Sequence, residues 1–275
     1  MADLLTVRQA LVQSGLTPVD ANALLAHVVG RDRAWLIAHA GDELPQQEMT
    51  IFFAAAKRRR DGEPIAYLTG RREFHGLELR VTPDVLIPRP ETETLVDAML
   101  AAIAEDAPAR VLDLGTGSGA IALAIAHARP RVDMLAVDID RAALDVARGN
   151  AQALGIGNVR FALSSWFDAL DAERFDAIVA NPPYIAADDP HLSDGDLRYE
   201  PRSALTPGGD GLDALRAIIA AASAHLVPRG VLAVEHGYDQ SSAVRALFAQ
   251  HGFAHIRGLR DLSGIWRVVI GEAAR

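Results

Sequence analysis

The sequence predicts an α/β protein: a doubly wound, mostly parallel sheet, preceded by a small bundle of helices and joined to it by a β-hairpin. Three observations lead there. Up to about residue 72 the apolar residues recur only at helical spacing, and between about 73 and 90 they alternate. From Arg110 onward strand-like and helix-like stretches take turns, the pattern of a parallel sheet covered on both faces.

In the first segment, Thr17-Pro18-Val19-Asp20 offers a helix cap, a proline at the first helical position and an acid for the positive end of the dipole. Ala21, Leu24, Leu25 and Val28 then share a face, and Gly30 stops the helix. Met49, Phe52, Phe53 and Ala56 repeat the spacing, which reads as core rather than site. Short amphipathic helices bury their stripes on one another, hence a bundle. Residues 74–81 alternate in strand fashion, Thr82-Pro83-Asp84 is a turn signal, and Val85-Leu86-Ile87 is a second extended arm, which together predict a hairpin. Pro88-Arg89-Pro90 ends it, and Glu91-Thr92-Glu93 opens a helix with Leu95, Ala98, Met99 and Ala102 inward.

Strands are expected over 110–114, 132–138, 159–161, 175–180, 231–235 and 265–270, with helices over 120–126, 141–154 and around Leu215, Ile218, Ile219 and Ala222. The stretch 186–211, rich in Pro, Gly and Asp, reads as a loop or lid.

Bulk properties narrow the function classes. Half of the 275 residues are apolar and a quarter charged, as in soluble globular proteins. No apolar run is long enough to cross a bilayer, and Met1-Ala2-Asp3-Leu4-Leu5 lacks a basic region followed by an apolar core, so a cytoplasmic protein is expected. The absence of cysteine excludes disulfides and thiolate metal sites and fits a reducing compartment. The nine histidines show no metal-ligand spacing, so no metal is expected; His236, beside Glu235 at a strand end, reads as structural. A net charge of −9 argues against a protein that wraps nucleic acid non-specifically. Residues 1–72 hold nine Lys/Arg against eight Asp/Glu, so the acidic excess lies beyond them. The basic run Lys57-Arg58-Arg59-Arg60 reads either as a solvated helix end or as a patch for a partner.

Asn181-Pro182-Pro183-Tyr184 follows a strand, at the edge where ligands of open α/β sheets gather. Two prolines remove two backbone donors and leave carbonyls that only accept. With the Asn181 amide in front and the Tyr184 ring behind, they form a rigid, acceptor-rich ledge suited to a planar –NH2 group. A plain strand-to-loop turn is the competing reading of these residues.

The cofactor signal is Gly115-Thr116-Gly117-Ser118-Gly119, between a strand and a helix, with Asp138 ending the next strand where it can accept from a ribose diol. The loop also fits the dinucleotide fingerprint, so by itself it leaves NAD and S-adenosylmethionine open. Asp113, two residues before the first glycine, the lack of a hydride-transfer pair, and the Asn-Pro-Pro-Tyr box favour the methyl donor. Trp166 reads either as a wall for the adenine or as a core or lid residue.

These residues resemble the protein-(glutamine-N5) methyltransferases of the PrmC/HemK family, which modify peptide chain release factors. The likeness spans nearly the whole chain. It rests on the helical amino-terminal segment, Phe74-His75-Gly76, Leu86-Ile87-Pro88-Arg89-Pro90-Glu91-Thr92-Glu93, Asp113-Leu114 with the glycine loop, Asn181-Pro182-Pro183-Tyr184, Glu200-Pro201-Arg202-Ser203-Ala204-Leu205, Gly208-Gly209-Asp210-Gly211-Leu212 and Glu235-His236-Gly237. The Asn-Pro-Pro-Tyr box is shared with adenine-N6 and ribosomal-protein methyltransferases, whereas the Ile-Pro-Arg-Pro-Glu-Thr-Glu run is more specific.

The resemblance implies the Rossmann-like, seven-stranded class I methyltransferase sheet. It assigns residues 1–72 to a substrate-recognition domain, 73–90 to a hairpin linker and 91–275 to the S-adenosylmethionine-dependent domain. It implies that Gly115, Thr116, Gly117, Ser118, Gly119, Asp138, Trp166 and Asn181 contact the methyl donor. It further implies that Asn181, Pro182, Pro183 and Tyr184 hold the target glutamine of the release factor's Gly-Gly-Gln loop, with Asn181, Pro182 and Tyr184 catalytic and S-adenosylhomocysteine as product. Ser165 stands where an Asp is expected, which puts an adenine contact there in question. The rival expectations are glutamine methylation of a ribosomal protein, adenine-N6 methylation of nucleic acid, a nicotinamide dehydrogenase and a non-catalytic binding module. Neither a membrane nor a nucleic acid is an expected partner.

Overall fold

A computed structural model describes residues 4–193 and 195–274. The amino-terminal Met1-Ala2-Asp3, on which the reading of a missing leader partly rests, lies outside the described residues, as do Asp194 and Arg275. The chain divides into two units. One extends to Arg71 and takes in the short stretch ending at Tyr199; the other comprises Arg72 to Ser193 and the chain from Glu200 onward.

The first unit is helical: α1 (Val7–Gln13), α2 (Pro18–Val29), α3 (Arg33–Ala38), α4 (Gln46–Arg60) and α5 (Ile65–Thr69). The Thr17 hydroxyl caps α2 by accepting from the Asp20 N–H, Pro18 sits at the first position, and Gly30 ends the helix in the left-handed region. Val7, Ala10, Leu24, Leu25, Leu36, Met49 and Phe52 form its core. The basic run occupies the last turn of α4, facing the negative end of the dipole. Its charges are met locally: Lys57 by Asp61, Arg58 by Glu63, and Arg59 by Asp20 and Asp196, while Arg60 donates to the Ser14 carbonyl. The run is therefore the capped end of a helix, engaged within its own unit.

A hairpin pairs β1 (Arg71–Phe74) with β2 (Leu77–Arg80). Its turn is His75-Gly76, at φ 49° and 78°, both positive as a two-residue type I′ turn requires. The sequence pattern put the turn at Thr82-Pro83-Asp84. There the chain does bend, but among the described residues 85–87 are not part of a strand; the Ile87 N–H donates to Glu200 Oε2 at 3.0 Å. His at the first turn position hid a signal that Asn or Gly would have made plain.

The second unit is built on seven strands: β3 (Ala109–Leu114), β4 (Val132–Asp138), β5 (Val159–Leu163), β6 (Phe175–Ala180), β7 (Leu226–Glu235), β8 (Ala254–Arg260) and β9 (Trp266–Glu272), in the spatial order β5-β4-β3-β6-β7-β9-β8. Strands β3 to β7 run parallel, and β9 is antiparallel to both its neighbours. Strand β8 was not legible in the sequence. It is an edge strand carrying His255, Arg257 and Arg260, without the alternation that burial of one face imposes.

Helices cover both faces. Along β3 and β4, Val111, Met134 and Ala136 enter one core with residues of α6 (Glu93–Ala102) and α7 (Ala120–Ala128). Leu112, Leu114, Leu135 and Val137 enter the other with α10 (Asp213–Ala222) and α11 (Ser241–Gln250). This is the period of two expected of a strand. Helix α8 (Arg141–Leu154) links β4 to β5, and a short α9 (Arg202–Leu205) interrupts the loop after β6. The chain winds outward from β3 to β5 and returns to β6 on the other side of β3. The carboxyl ends of β3 and β6 therefore flank a topological switch point, where such sheets open a crevice. Among the described residues no helix is long and apolar enough to cross a membrane.

Candidate active site

A cavity of about 530 Å³ opens at this switch point. Its floor is the glycine loop after β3. The N–H groups of Gly115 and Thr116 both donate to the Val137 carbonyl at 2.9 Å, tying the loop to β4. Gly115, Gly117 and Gly119 have φ of 74°, 55° and 84°, a conformation that a side chain disfavours. Gly115, Thr116, Gly117 and Ser118 line the cavity. Gly119 does not; it is the cap residue of α7, and a Cβ there would meet Leu123 and Ala147 at 3.0–3.2 Å.

Two carboxyls anchor this floor. Asp138, ending β4, lines the cavity and accepts from the Gly117 N–H at 2.8 Å through Oδ2 and the Asp140 N–H at 2.9 Å through Oδ1. Burial raises its pKa, and these backbone donors oppose the rise. Asp113 lies beneath the loop, fully buried, and accepts from the Thr116 hydroxyl at 2.7 Å. Burial is the largest influence and lifts its pKa to about 7, with a smaller push from the charge of Asp138.

Trp166 lines the same cavity, and a Cβ on Gly115 would touch its ring at 3.4 Å. Its backbone sits at φ 48°, the left-handed region where a bulky residue is an outlier. The loop is held there by Ser164, whose hydroxyl donates to the Trp166 carbonyl at 3.0 Å and accepts from the Ala169 N–H at 3.1 Å. Ser165 also lines the cavity.

Across from the glycine loop, Asn181 and Pro183 line the wall just past β6. Asn181 Nδ2 donates to the hydroxyl of Thr92, another residue of the wall, at 3.1 Å. Pro182 is buried and off the wall. Tyr184 is also off it, with its hydroxyl turned inward to Glu235 Oε1 at 3.2 Å and its backbone carbonyl accepting from Gln240 Nε2 at 2.9 Å. Burial and the adjacent carboxylate push the Tyr184 phenol far above its ordinary range, so it remains a donor. Glu235, at the carboxyl end of β7, is buried and lifted to about 7, chiefly by burial. His236 is buried as well; its Nδ1 meets the Gly237 carbonyl at 2.7 Å, and burial lowers its pKa.

The rest of the wall comes from segments whose part was not read from the residues. Phe74, Val85, Leu86, Pro88, Arg89 and Thr92 contribute one side, and Pro201, Ser203, Ala204, Thr206 and Pro207 another. Arg89 pairs with the buried Glu200, whose second oxygen takes the Ile87 N–H, so one carboxylate fastens both segments. Their proline density was the only local signal. Chemically, the cavity joins a glycine-floored, carboxylate-edged half to a ledge bearing an amide, which fits an adenosine-bearing ligand beside a second, polar substrate group.

A methyltransferase from Pyrococcus furiosus, 18% identical, matches 80% of this chain and 98% of its own length at a TM-score of 0.55. That likeness fixes the fold class. Sequence comparison is more specific. Residues 91–210 match the family model described as methyltransferase small domain, and residues 4–70 the one described as PrmC N-terminal domain. The release factor glutamine methyltransferase of Burkholderia pseudomallei is 52% identical over 273 residues, covering 97% of this chain and 96% of that one. The protein of the same description from Xylella fastidiosa strain Temecula1 is 52% identical over 254 residues, 92% of each chain. The chain belongs to the PrmC/HemK family of release factor glutamine methyltransferases.

Proposed function

We propose that the protein transfers a methyl group from S-adenosylmethionine to the side-chain nitrogen of a glutamine in a peptide chain release factor, leaving S-adenosylhomocysteine. The carrying observation is the adjacency, in one cavity, of the glycine loop with Asp138 and the amide of Asn181. Family membership supports the substrate, and the acid-edged, glycine-floored half fits the adenosyl group. Gly115, Thr116, Gly117, Ser118, Asp138 and Trp166 would hold the donor, with Gly119 acting through the turn it caps. When bound, the donor supplies an electrophilic methyl carbon.

The chain's own part is orientation. An amide nitrogen is a weak nucleophile because its lone pair is delocalised into the carbonyl. Asn181, which lines the cavity, would accept one amide hydrogen through Oδ1, aiming the nitrogen and stabilising the positive charge that grows on it; the Pro182 carbonyl, set off the wall, would become the second acceptor only with a shift of the ledge when the glutamine is seated. Pro183 would shape the ledge beside the glutamine side chain. The inward turn of Tyr184 supports a bracing role for this residue, which would hold the ledge from behind rather than pack on the glutamine. No strong base is needed, since the charged product nitrogen loses its proton readily. Residues 1–72 would form a second surface for the release factor, a role proposed for the domain as a whole. Action on a release factor supports a cytoplasmic location, and the lack of cysteine is in keeping with a reducing compartment.

Asn181→Ala tests the reading. Loss of the acceptor is expected to lower kcat roughly 10²–10³-fold while S-adenosylhomocysteine still binds. A variant that methylates at the wild-type rate would remove Asn181 from the chemistry. Calorimetry that gave binding of NAD but not S-adenosylhomocysteine would overturn the donor assignment.

A further inference from the structure

The residue that precedes α11 is Gln240, at φ −90° and ψ −6°, and its side chain caps nothing in its own helix. Ser, Thr, Asp or Asn is favoured at such a position, because a short side chain with an oxygen satisfies a free N–H of the first turn. The Gln240 carboxamide instead reaches away from the helix. Its Oε1 accepts from the Gly237 N–H at 2.9 Å, and its Nε2 donates to the Tyr184 carbonyl at 2.9 Å. A backbone N–H only donates and a backbone carbonyl only accepts, so these partners fix which end of the amide is which. Two glycines leave room for it: a Cβ on Gly237 would stand 3.1 Å from Oε1, and one on Gly211 3.1 Å from Nε2.

The carbonyl that Gln240 holds belongs to the peptide group joining Tyr184 to Ile185. The N–H of that same group donates to the Leu205 carbonyl at 3.0 Å. A trans peptide is planar, with its carbonyl and N–H pointing opposite ways, so partners on both sides fix the orientation of its plane. Pro182 and Pro183 bring no N–H of their own, and backbone donors cannot tie the ledge until the chain has passed them. Asn181, at the other end, is fixed by following β6 directly. We propose that Gln240 is a positioning residue for methyl transfer: together with Leu205 it clamps the 184–185 peptide and so sets where the ledge presents the acceptor of Asn181. This rests on the acceptor role given to Asn181 above.

The Tyr184 hydroxyl, bonded to Glu235 at 3.2 Å, adds a third fixed point from the end of β7. Leu205 closes α9 beside Ala204 and Thr206 of the cavity wall, so the clamp also joins the ledge to that wall. Any shift of Pro182 toward a seated glutamine then takes place between two fixed ends. Gln240 itself does not line the cavity, and neither Gly237 nor Leu205 belongs to the glycine-floored half. Loosening the clamp therefore disturbs the ledge and spares the methyl donor.

The experiment compares Gln240→Met, Gln240→Glu and Asn181→Ala in the full chain, reading kcat, S-adenosylhomocysteine affinity and the hydrogen-exchange rate of the Ile185 amide. Gln240→Met keeps the length of the side chain and deletes both hydrogen bonds. Its kcat is expected to fall roughly 10-fold, the rate equivalent of one lost hydrogen bond, with S-adenosylhomocysteine affinity within about threefold of wild type. Gln240→Glu keeps the acceptor for Gly237 but sets a carboxylate oxygen against the Tyr184 carbonyl, and kcat should fall further, roughly 30- to 100-fold. In Gln240→Met the Ile185 amide should exchange roughly 10-fold faster, while those of Gly115 and Thr116, bonded to Val137, keep their rates. Adding Gln240→Met to Asn181→Ala should cost less than the product of the two single losses, since both act at one ledge. Gln240→Met at the wild-type rate, a loss of donor affinity in step with kcat, or an unchanged Ile185 exchange rate would each overturn the proposal. If one Gln240 variant fails to fold, the other still decides it. An active Asn181→Ala would instead sink the acceptor role itself, whereas an inactive Asn181→Ala beside a fully active Gln240→Met sinks only the clamp.

Discussion

Gly211 is the most demanding glycine behind the active-site ledge, and Gly211→Ala is the sharpest test of how that ledge is held. At φ 81° its backbone lies in the left-handed region. A Cβ built there would stand 2.4 Å from the Tyr184 carbonyl oxygen, 3.0 Å from the Ala186 nitrogen and 3.1 Å from Gln240 Nε2. The first two are backbone atoms and cannot swing aside. The third belongs to the donor that holds the Tyr184 carbonyl at 2.9 Å. Left-handed strain costs about 1–2 kcal/mol and overpacking about 1–3 kcal/mol, so a loss of roughly 2–5 kcal/mol is expected. For a unit of this size that lowers the thermal midpoint by roughly 5–15 °C. Any relaxation that spares stability must push the 181–184 segment and so reduce kcat. Gly252→Ala is the matched control: its φ is 78°, with nothing within 4 Å of the added Cβ. It should show the strain cost alone, about 1–2 kcal/mol, with full activity. Differential scanning calorimetry with a methyl-transfer assay reads both. A Gly211→Ala protein indistinguishable from Gly252→Ala would refute the packing argument.

Other outcomes follow from the same geometry. Asp138→Ala strands the Gly117 and Asp140 N–H groups and should weaken S-adenosylhomocysteine binding by roughly 10- to 100-fold in calorimetry, hydrogen bonds to a charged group being worth about 1.5–3 kcal/mol. Asp113, raised to about 7 in the fold, favours the folded state most below its unfolded pKa, and that contribution is lost as pH rises toward 7. Asp113→Asn should therefore show a shallower fall in thermal midpoint across this range, with Glu235 and Asp138, both raised by burial, contributing to what remains; an unchanged profile would show that Asp113 does not titrate there. Removal of residues 1–72 should raise KM for the release factor more than it alters donor affinity, and an equal loss of both would make that segment merely structural.

The parts of the fold legible in the sequence were those where one face or both faces of an element are buried. Strands β3, β4 and β6 read as apolar runs because helices cover the sheet on each side, and α2 was framed by Thr17, Pro18 and Gly30. Strand β8 was hidden because an exposed edge needs charge more than alternation. The hairpin turn was misplaced because His75 adopts a positive φ that its side chain does not advertise. The placement of Gly115, Gly117, Asp138 and Asn181 at one cavity was legible because turn geometry and strand ends restrict those positions to few residue types, while their roles stay proposals. The inward set of Tyr184 was not, since its partner Glu235 comes from a strand 51 residues away. The fastening of Arg89 to Glu200 likewise joins residues 111 apart, which local pattern cannot reveal.

The central claim is that the Asn181 ledge presents a carboxamide nitrogen to the methyl donor bound over the glycine loop. Incubating the protein with isotopically labelled S-adenosylmethionine and a purified release factor, then mapping the label by tandem mass spectrometry, tests it most directly. One methyl group on a glutamine side-chain nitrogen, present with the wild-type protein and nearly absent with Asn181→Ala, is the expected result. Label on any other residue type, or equal labelling by both proteins, would contradict the account.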